Sequence, residues 1–89
     1  SDVLNGYEMA QQQEAADRHL LVAAKKYNRL ARLQYRGGVL GYIDVLDAQR
    51  QLFDAELSVT QSRRDRLQAI AVLYRALGGG WDVESLSAE

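Results

Sequence analysis

Asp44 and Asp47 stand three residues apart, just behind a cluster of three glycines, in the stretch Tyr35-Arg36-Gly37-Gly38-Val39-Leu40-Gly41-Tyr42-Ile43-Asp44-Val45-Leu46-Asp47-Ala48-Gln49-Arg50. On a helix that spacing puts both carboxylates on one face. The residues alone give the pair a plain reading. Asp44 serves a helix start, where free N–H groups and the helix dipole favour a carboxylate, and Asp47 is merely solvated. Enzyme chemistry finds no further foothold. His19 is the sole histidine and cysteine is absent, so no metal set, nucleophile–base pair or phosphate loop is expected. His19 reads as a solvated helix residue, and Glu14, Asp17 and Arg18 as an exposed charged patch. No catalytic residue and no cofactor is expected.

The elements that must position the aspartates are two long helices. From Val3 to Arg36 nothing breaks a helix except Gly6, and proline is absent from the chain. The spacing predicts a helix over about 2–36, with Ser1-Asp2 able to cap its free N–H groups. Apolar residues recur at Val3, Tyr7 and Ala10, then at Leu20, Ala24, Tyr27 and Ala31, widened by Leu21, Ala23 and Leu30. These steps of four and three are the rhythm of a coiled-coil seam. Between them Gln11-Gln12-Gln13-Glu14 is polar, leaving Ala15 and Ala16 as the small residues able to pack there.

A tip turn is expected over 37–41, since glycine reverses a chain at low cost, and a second helix over about 42–77. One seam reads Val45, Ala48, Leu52, Ala55, Val59, Ser62, Arg66, Ala69, Leu73, Ala76. A second lies one residue along, from Leu46, Gln49 and Phe53 through Leu67 and Ile70 to Tyr74 and Leu77. Two adjacent stripes imply neighbours on two sides. Arg50, Asp54, Gln61, Asp65, Gln68 and Arg75 form a solvated face, with Arg50 and Asp54 spaced as a surface ion pair. Gly78-Gly79-Gly80 is expected to end the helix, with Trp81 and Val83 able to fold back on its last turn and a loose tail expected from Glu84 to Glu89. The fold class is therefore all-α, an antiparallel helical hairpin.

Composition narrows the partners. The 89 residues carry 11 Lys+Arg against 12 Asp+Glu, a net charge of -1, which offers no basic face for nucleic acid and no polybasic patch for anionic lipid. No run of the sequence has the apolar length of a membrane-spanning helix. Two helices cannot enclose a core, so the hairpin is expected to associate with copies of itself or with other helices.

The stretch from Tyr35 to Arg50 resembles the periplasmic tip of TolC-type outer-membrane efflux channels. The helix ending Ala71-Val72-Leu73-Tyr74-Arg75-Ala76-Leu77-Gly78-Gly79-Gly80-Trp81 is similar to the end of the same repeat, most like the OprM/NodT subgroup that serves resistance–nodulation–division (RND) pumps. The motifs and the helix between them cover about Ala23 to Trp81.

That resemblance implies a homotrimer in which an outer-membrane β-barrel continues into an α-helical barrel across the periplasm of a Gram-negative cell. Each protomer would contribute two hairpins to the closed end, and this chain looks like the second. It would be a periplasmic portion cut near the equator of the helical barrel, without the β-strands or the subgroup's lipoprotein signal. Asp44, Asp47 and Tyr35 match residues of the entrance constriction. Carboxylates from three protomers would meet near an axis, repel one another and attract cations. Gly37, Gly38, Val39, Leu40 and Gly41 would form the tip that docks the periplasmic adaptor (the membrane-fusion protein), and through it the RND pump. Some members have arginine where this chain has Leu40, which weakens any salt-bridge lock there, with Arg36 a substitute. An isolated hairpin also has the option of dimerising into a four-helix bundle. The competing reading from periodicity alone is a generic coiled-coil interaction module, such as an adaptor-type hairpin.

Overall fold

A computed structural model describes residues 2–78. Two antiparallel helices, α1 (Asp2–Arg36) and α2 (Tyr42–Gly78), form a hairpin 64 Å long. Each helix complements its own dipole, with Asp2 and Asp44 in the first turns and Arg36 and Arg75 in the last. The helices begin and end within a residue of the positions that spacing predicts. Expectations for Ser1 and for residues 79–89, including the fold-back of Trp81 and Val83, lie outside the described residues.

The α2 seam follows the heptad. Val45, Ala48 and Ser62 are buried, and Leu52, Ala55, Val59, Arg66, Ala69 and Leu73 are half-buried. Only Ala76, at the open end, is exposed. Near the tip the seam is built of small residues. Ala48 is 0% exposed against a comparably buried Ala31, which lets the arms approach closely.

The α1 seam departs from expectation in two places. In the second half of the helix it runs Leu21, Ala24, Asn28, Ala31, and Leu20 and Tyr27 lie outside it, exposed. In the middle the seam does not lapse to Ala15 and Ala16, which are both exposed. It continues through Glu14 and Asp17, which are buried, so the expected exposed patch of Glu14, Asp17 and Arg18 holds for Arg18 alone. The uninterrupted sequence of steps, 3, 7, 10, 14, 17, 21, 24, 28, 31, places them there. Geometry overrode side-chain polarity, and Arg66 on the facing helix supplies the compensating charge.

No large side chain is fully buried among the described residues. The second α2 stripe, Leu46, Phe53, Leu67, Tyr74 and Leu77, is exposed on the hairpin surface, as are Leu20, Tyr27 and Leu30 of α1. Two helices cover one stripe each, and the remaining apolar side chains stay exposed.

Candidate functional site

The tip is fixed by its backbone. The Val39 N–H donates to the Gln34 carbonyl at 2.8 Å and the Gly38 N–H to the Tyr35 carbonyl at 3.0 Å, the paired bonds of a Schellman cap. Gly38 takes the left-handed position of that cap, with φ 78°. Of the three tip glycines it alone has positive φ; a Cβ at Gly37 or Gly41 would meet only ordinary contacts, at 3.5 and 3.7 Å. The chain then turns into α2 without a side-chain cap. Gly41 occupies the N-cap, and its N–H donates to Asp44 Oδ2 at 3.3 Å while its carbonyl accepts from the Asp44 N–H at 3.2 Å. This is the return half of a capping box, made by the third helical residue. Asp44 thus serves the helix start, and remains exposed.

Asp47 is not merely solvated. Arg50 Nη2 donates to its Oδ1 at 2.9 Å and Gln51 Nε2 to its Oδ2 at 2.8 Å. The Arg50 bond first, then that of Gln51, holds the carboxyl below the usual aspartate range. Arg50 is raised in return, chiefly by the same bond, and it also reaches Asp54 at 3.2 Å as the spacing predicts. The Arg50 and Gln51 contacts were open to a reading of i+3 and i+4 neighbours on a helix.

Tyr35 and Tyr42, either side of the turn, bring their rings to 5.8 Å between centroids with a tilt of 53°, a favourable aromatic geometry. Tyr42 was not singled out from sequence. Leu40 is half-buried, whereas Val39 is 72% exposed at the end of the hairpin. The five tip residues, Tyr35 and the two aspartates therefore lie together at one end of the molecule.

A second polar cluster sits far up the arms. Glu14, 5% exposed, accepts from Arg18 Nη2 at 2.7 Å on its own helix and from Arg66 Nε on the other. The two guanidiniums, Arg18 foremost, hold its carboxyl below the usual glutamate range. Beside it Asp17 accepts from Gln13 Nε2 at 3.1 Å, and buried Ser62 returns its hydroxyl to the Ser58 and Val59 carbonyls. Among the described residues, no group of three or more His, Cys, Asp or Glu could hold a metal ion, and no helix is long and apolar enough to cross a membrane.

The hairpin thus combines exposed apolar stripes along its arms with a carboxylate-bearing tip. The pattern of the outer membrane efflux protein family matches residues 1–79, and the chain belongs to that family. It is similar to the solvent efflux pump outer membrane protein SrpC of Pseudomonas putida, with 38% identity over 78 residues, 88% of this chain and 16% of the relative. The toluene efflux pump outer membrane protein TtgC of Pseudomonas putida is 41% identical over 81 residues, 91% of this chain and 17% of the relative. Outer membrane protein OprJ of Pseudomonas aeruginosa is 35% identical over 82 residues, covering 92% and 17%. The chain thus spans about one-sixth of the length of the curated relatives it matches, 16% of SrpC and 17% of TtgC and OprJ. No solved structure matches it.

Proposed function

We propose that this hairpin forms the periplasmic entrance of an outer-membrane channel in a tripartite RND-type efflux system. The parent would work as a homotrimer, conduct substrates passively and receive them through a periplasmic adaptor. The similar proteins are outer membrane proteins, two of them named for solvent and toluene efflux pumps, which supports the same class of task here.

The observation that carries the reading is the build of the tip. An apolar Val39, 72% exposed, is presented by a turn fixed through backbone bonds, and two carboxylates follow within eight positions. An exposed apolar residue with no core to fill suits docking against another helical tip. In this reading 37–41 is the adaptor-facing surface, Asp44 and Asp47 form the constriction, and Tyr35 braces the mouth. Arg50 tempers the constriction by partly compensating Asp47.

The docking role is tested by Val39→Glu in the full-length channel. Efflux should be lost while the protein still reaches the outer membrane at normal level; normal efflux would exclude the role. Val39 is the better choice over Gly38, where any side chain would strain the left-handed backbone. For the constriction, Asp44→Ala with Asp47→Ala should raise single-channel conductance or relieve block by divalent cations. Unchanged conductance together with unchanged block would remove the aspartates from the gate.

A further inference from the structure

We propose that the Glu14–Arg66 ion pair is a register pin that holds the two arms in one axial alignment far from the tip. The pair is the one ion pair that crosses the seam among the described residues, and the positions flanking it are mostly apolar or small, with buried Asp17 and Asn28 the polar exceptions on the tip side. Toward the tip lie Leu21, Ala24 and Ala31 facing Val45, Ala48, Leu52, Ala55 and Val59; toward the open end lie Val3, Tyr7 and Ala10 facing Ala69 and Leu73.

Such a seam repeats every seven residues, so sliding one arm by a heptad, about 10.5 Å, still sets apolar stripe against apolar stripe. The Ala, Val and Leu layers discriminate poorly between alignments, and the bond shown for buried Asn28 comes from Arg32 on its own helix. Glu14 and Arg66 do discriminate. Slipped by a heptad, Glu14 would face Val59 or Leu73, and Arg66 would face Leu21 or Tyr7. Each shift parts the half-buried Arg66 from Glu14 and sets it against an apolar side chain, and a charge that loses its partner in a partly buried site is penalised. Arg18 travels with Glu14 on the same helix, so it stays paired with Glu14 in any alignment and offers nothing to Arg66.

The tip turn opposes sliding at its own end, but it lies about 35 Å from Glu14 along the arm. A charged layer at that distance prevents melting of the last helical turn at the tip from passing into a slipped but otherwise packed hairpin. Polar residues buried in coiled coils are known to set register in this way, at some cost in stability. The proposal does not depend on what the tip docks.

The chain has no cysteine, so disulfide trapping tests it directly. Ala24→Cys with Ala55→Cys reports the native alignment, and Ala24→Cys with Ser62→Cys reports an alignment one heptad away. With the charges intact the slipped pair should oxidise about tenfold more slowly than the native pair, the scale expected when the half-buried Arg66 loses its carboxylate. In Glu14→Leu/Arg66→Leu the two rates should converge. Glu14→Gln/Arg66→Gln, which keeps polar side chains of similar size, should give the same convergence and serves if the leucine variant does not fold. A slipped pair that stays slow in both neutral backgrounds would overturn the proposal and assign register to the tip turn or to buried Asn28.

Discussion

The tip and the middle of this hairpin use the same chemistry, carboxylate against guanidinium, in opposite ways. At the tip Asp44 and Asp47 bond only to groups three or four residues away, and both reach solvent. In the middle Glu14 is buried and joined to a residue on the other helix. Local partners organise a helix end without constraining the second arm. The distant partner ties two arms together, and leaves Arg66 costly if Glu14 is removed. The tip is thus built to present groups outward, and the middle to keep the arms aligned.

The largest effect should come from breaking the middle on one side only. Glu14→Leu leaves the half-buried Arg66 without its carboxylate, and thermal melts of the chain should show a severe loss of stability. Asp47→Leu, which removes a carboxylate from an exposed ion pair, should shift Tm several times less. Comparable shifts would mean that the two clusters are energetically alike, and the contrast between tip and middle would fail.

Next in size is the backbone requirement of the tip. Gly38→Ala places a Cβ on a residue with φ 78° and should cost about 1–2 kcal/mol. Gly37→Ala meets nothing closer than 3.5 Å and should be nearly neutral. Equal losses at both positions in denaturant titrations would show that the cap geometry does not control the turn.

How much of the molecule was legible in the sequence follows the same division. The tip turn, both helix spans and the α2 seam depend on neighbours within a turn or two, and Gly38, Asp44, Val45 and Ala48 announce them by type and spacing. The capping by Asp44 was readable for the same reason. The middle was not, because Glu14 and Asp17 read as surface by their polarity, whereas the heptad carries straight through them. Spacing alone puts Arg66 in the α2 seam. A charge in one seam opposite a polar gap in the other was the available signal for a cross-helix pair. Nothing local specifies which residue meets which over a separation of 52 positions. The Tyr35–Tyr42 contact escaped for a related reason, since the turn geometry alone decides whether two flanking rings meet. The proposed constriction and docking roles would rest on neighbours that one hairpin does not contain.

Acid should separate the clusters more finely. Glu14 has its folded pKa lowered by Arg18 and Arg66, so its stabilisation is full above the unfolded value, about 4.3, and drains away as pH falls through the lower folded value. Asp17, bonded by Gln13, is the other carboxylate of that layer. Melts across the acid range should therefore show Glu14→Gln less stable than the parent chain at neutral pH and converging with it in strong acid. A gap that persists at the acid end would mean that the carboxylate's shape, not its charge, holds the arms.

Salt should give the smallest and most selective effect. Asp47 also has a lowered pKa, through Arg50 and then Gln51, but both partners of the ion pair are open to solvent. At about 1 M salt the screening length is near 3 Å, so whatever Arg50 contributes to Asp47 should be largely screened, and Asp47→Asn should then melt with the parent chain. The Glu14 pair excludes solvent on the carboxylate side and is screened much less, so Glu14→Gln should keep most of its deficit at the same salt. If both deficits vanish together, the middle is as open to ions as the tip, and the register pin would have to act through packing. If only the Asp47 deficit vanishes, the charge at the tip is available to solvent and to whatever approaches from it, while the charge in the middle answers only to the opposite helix.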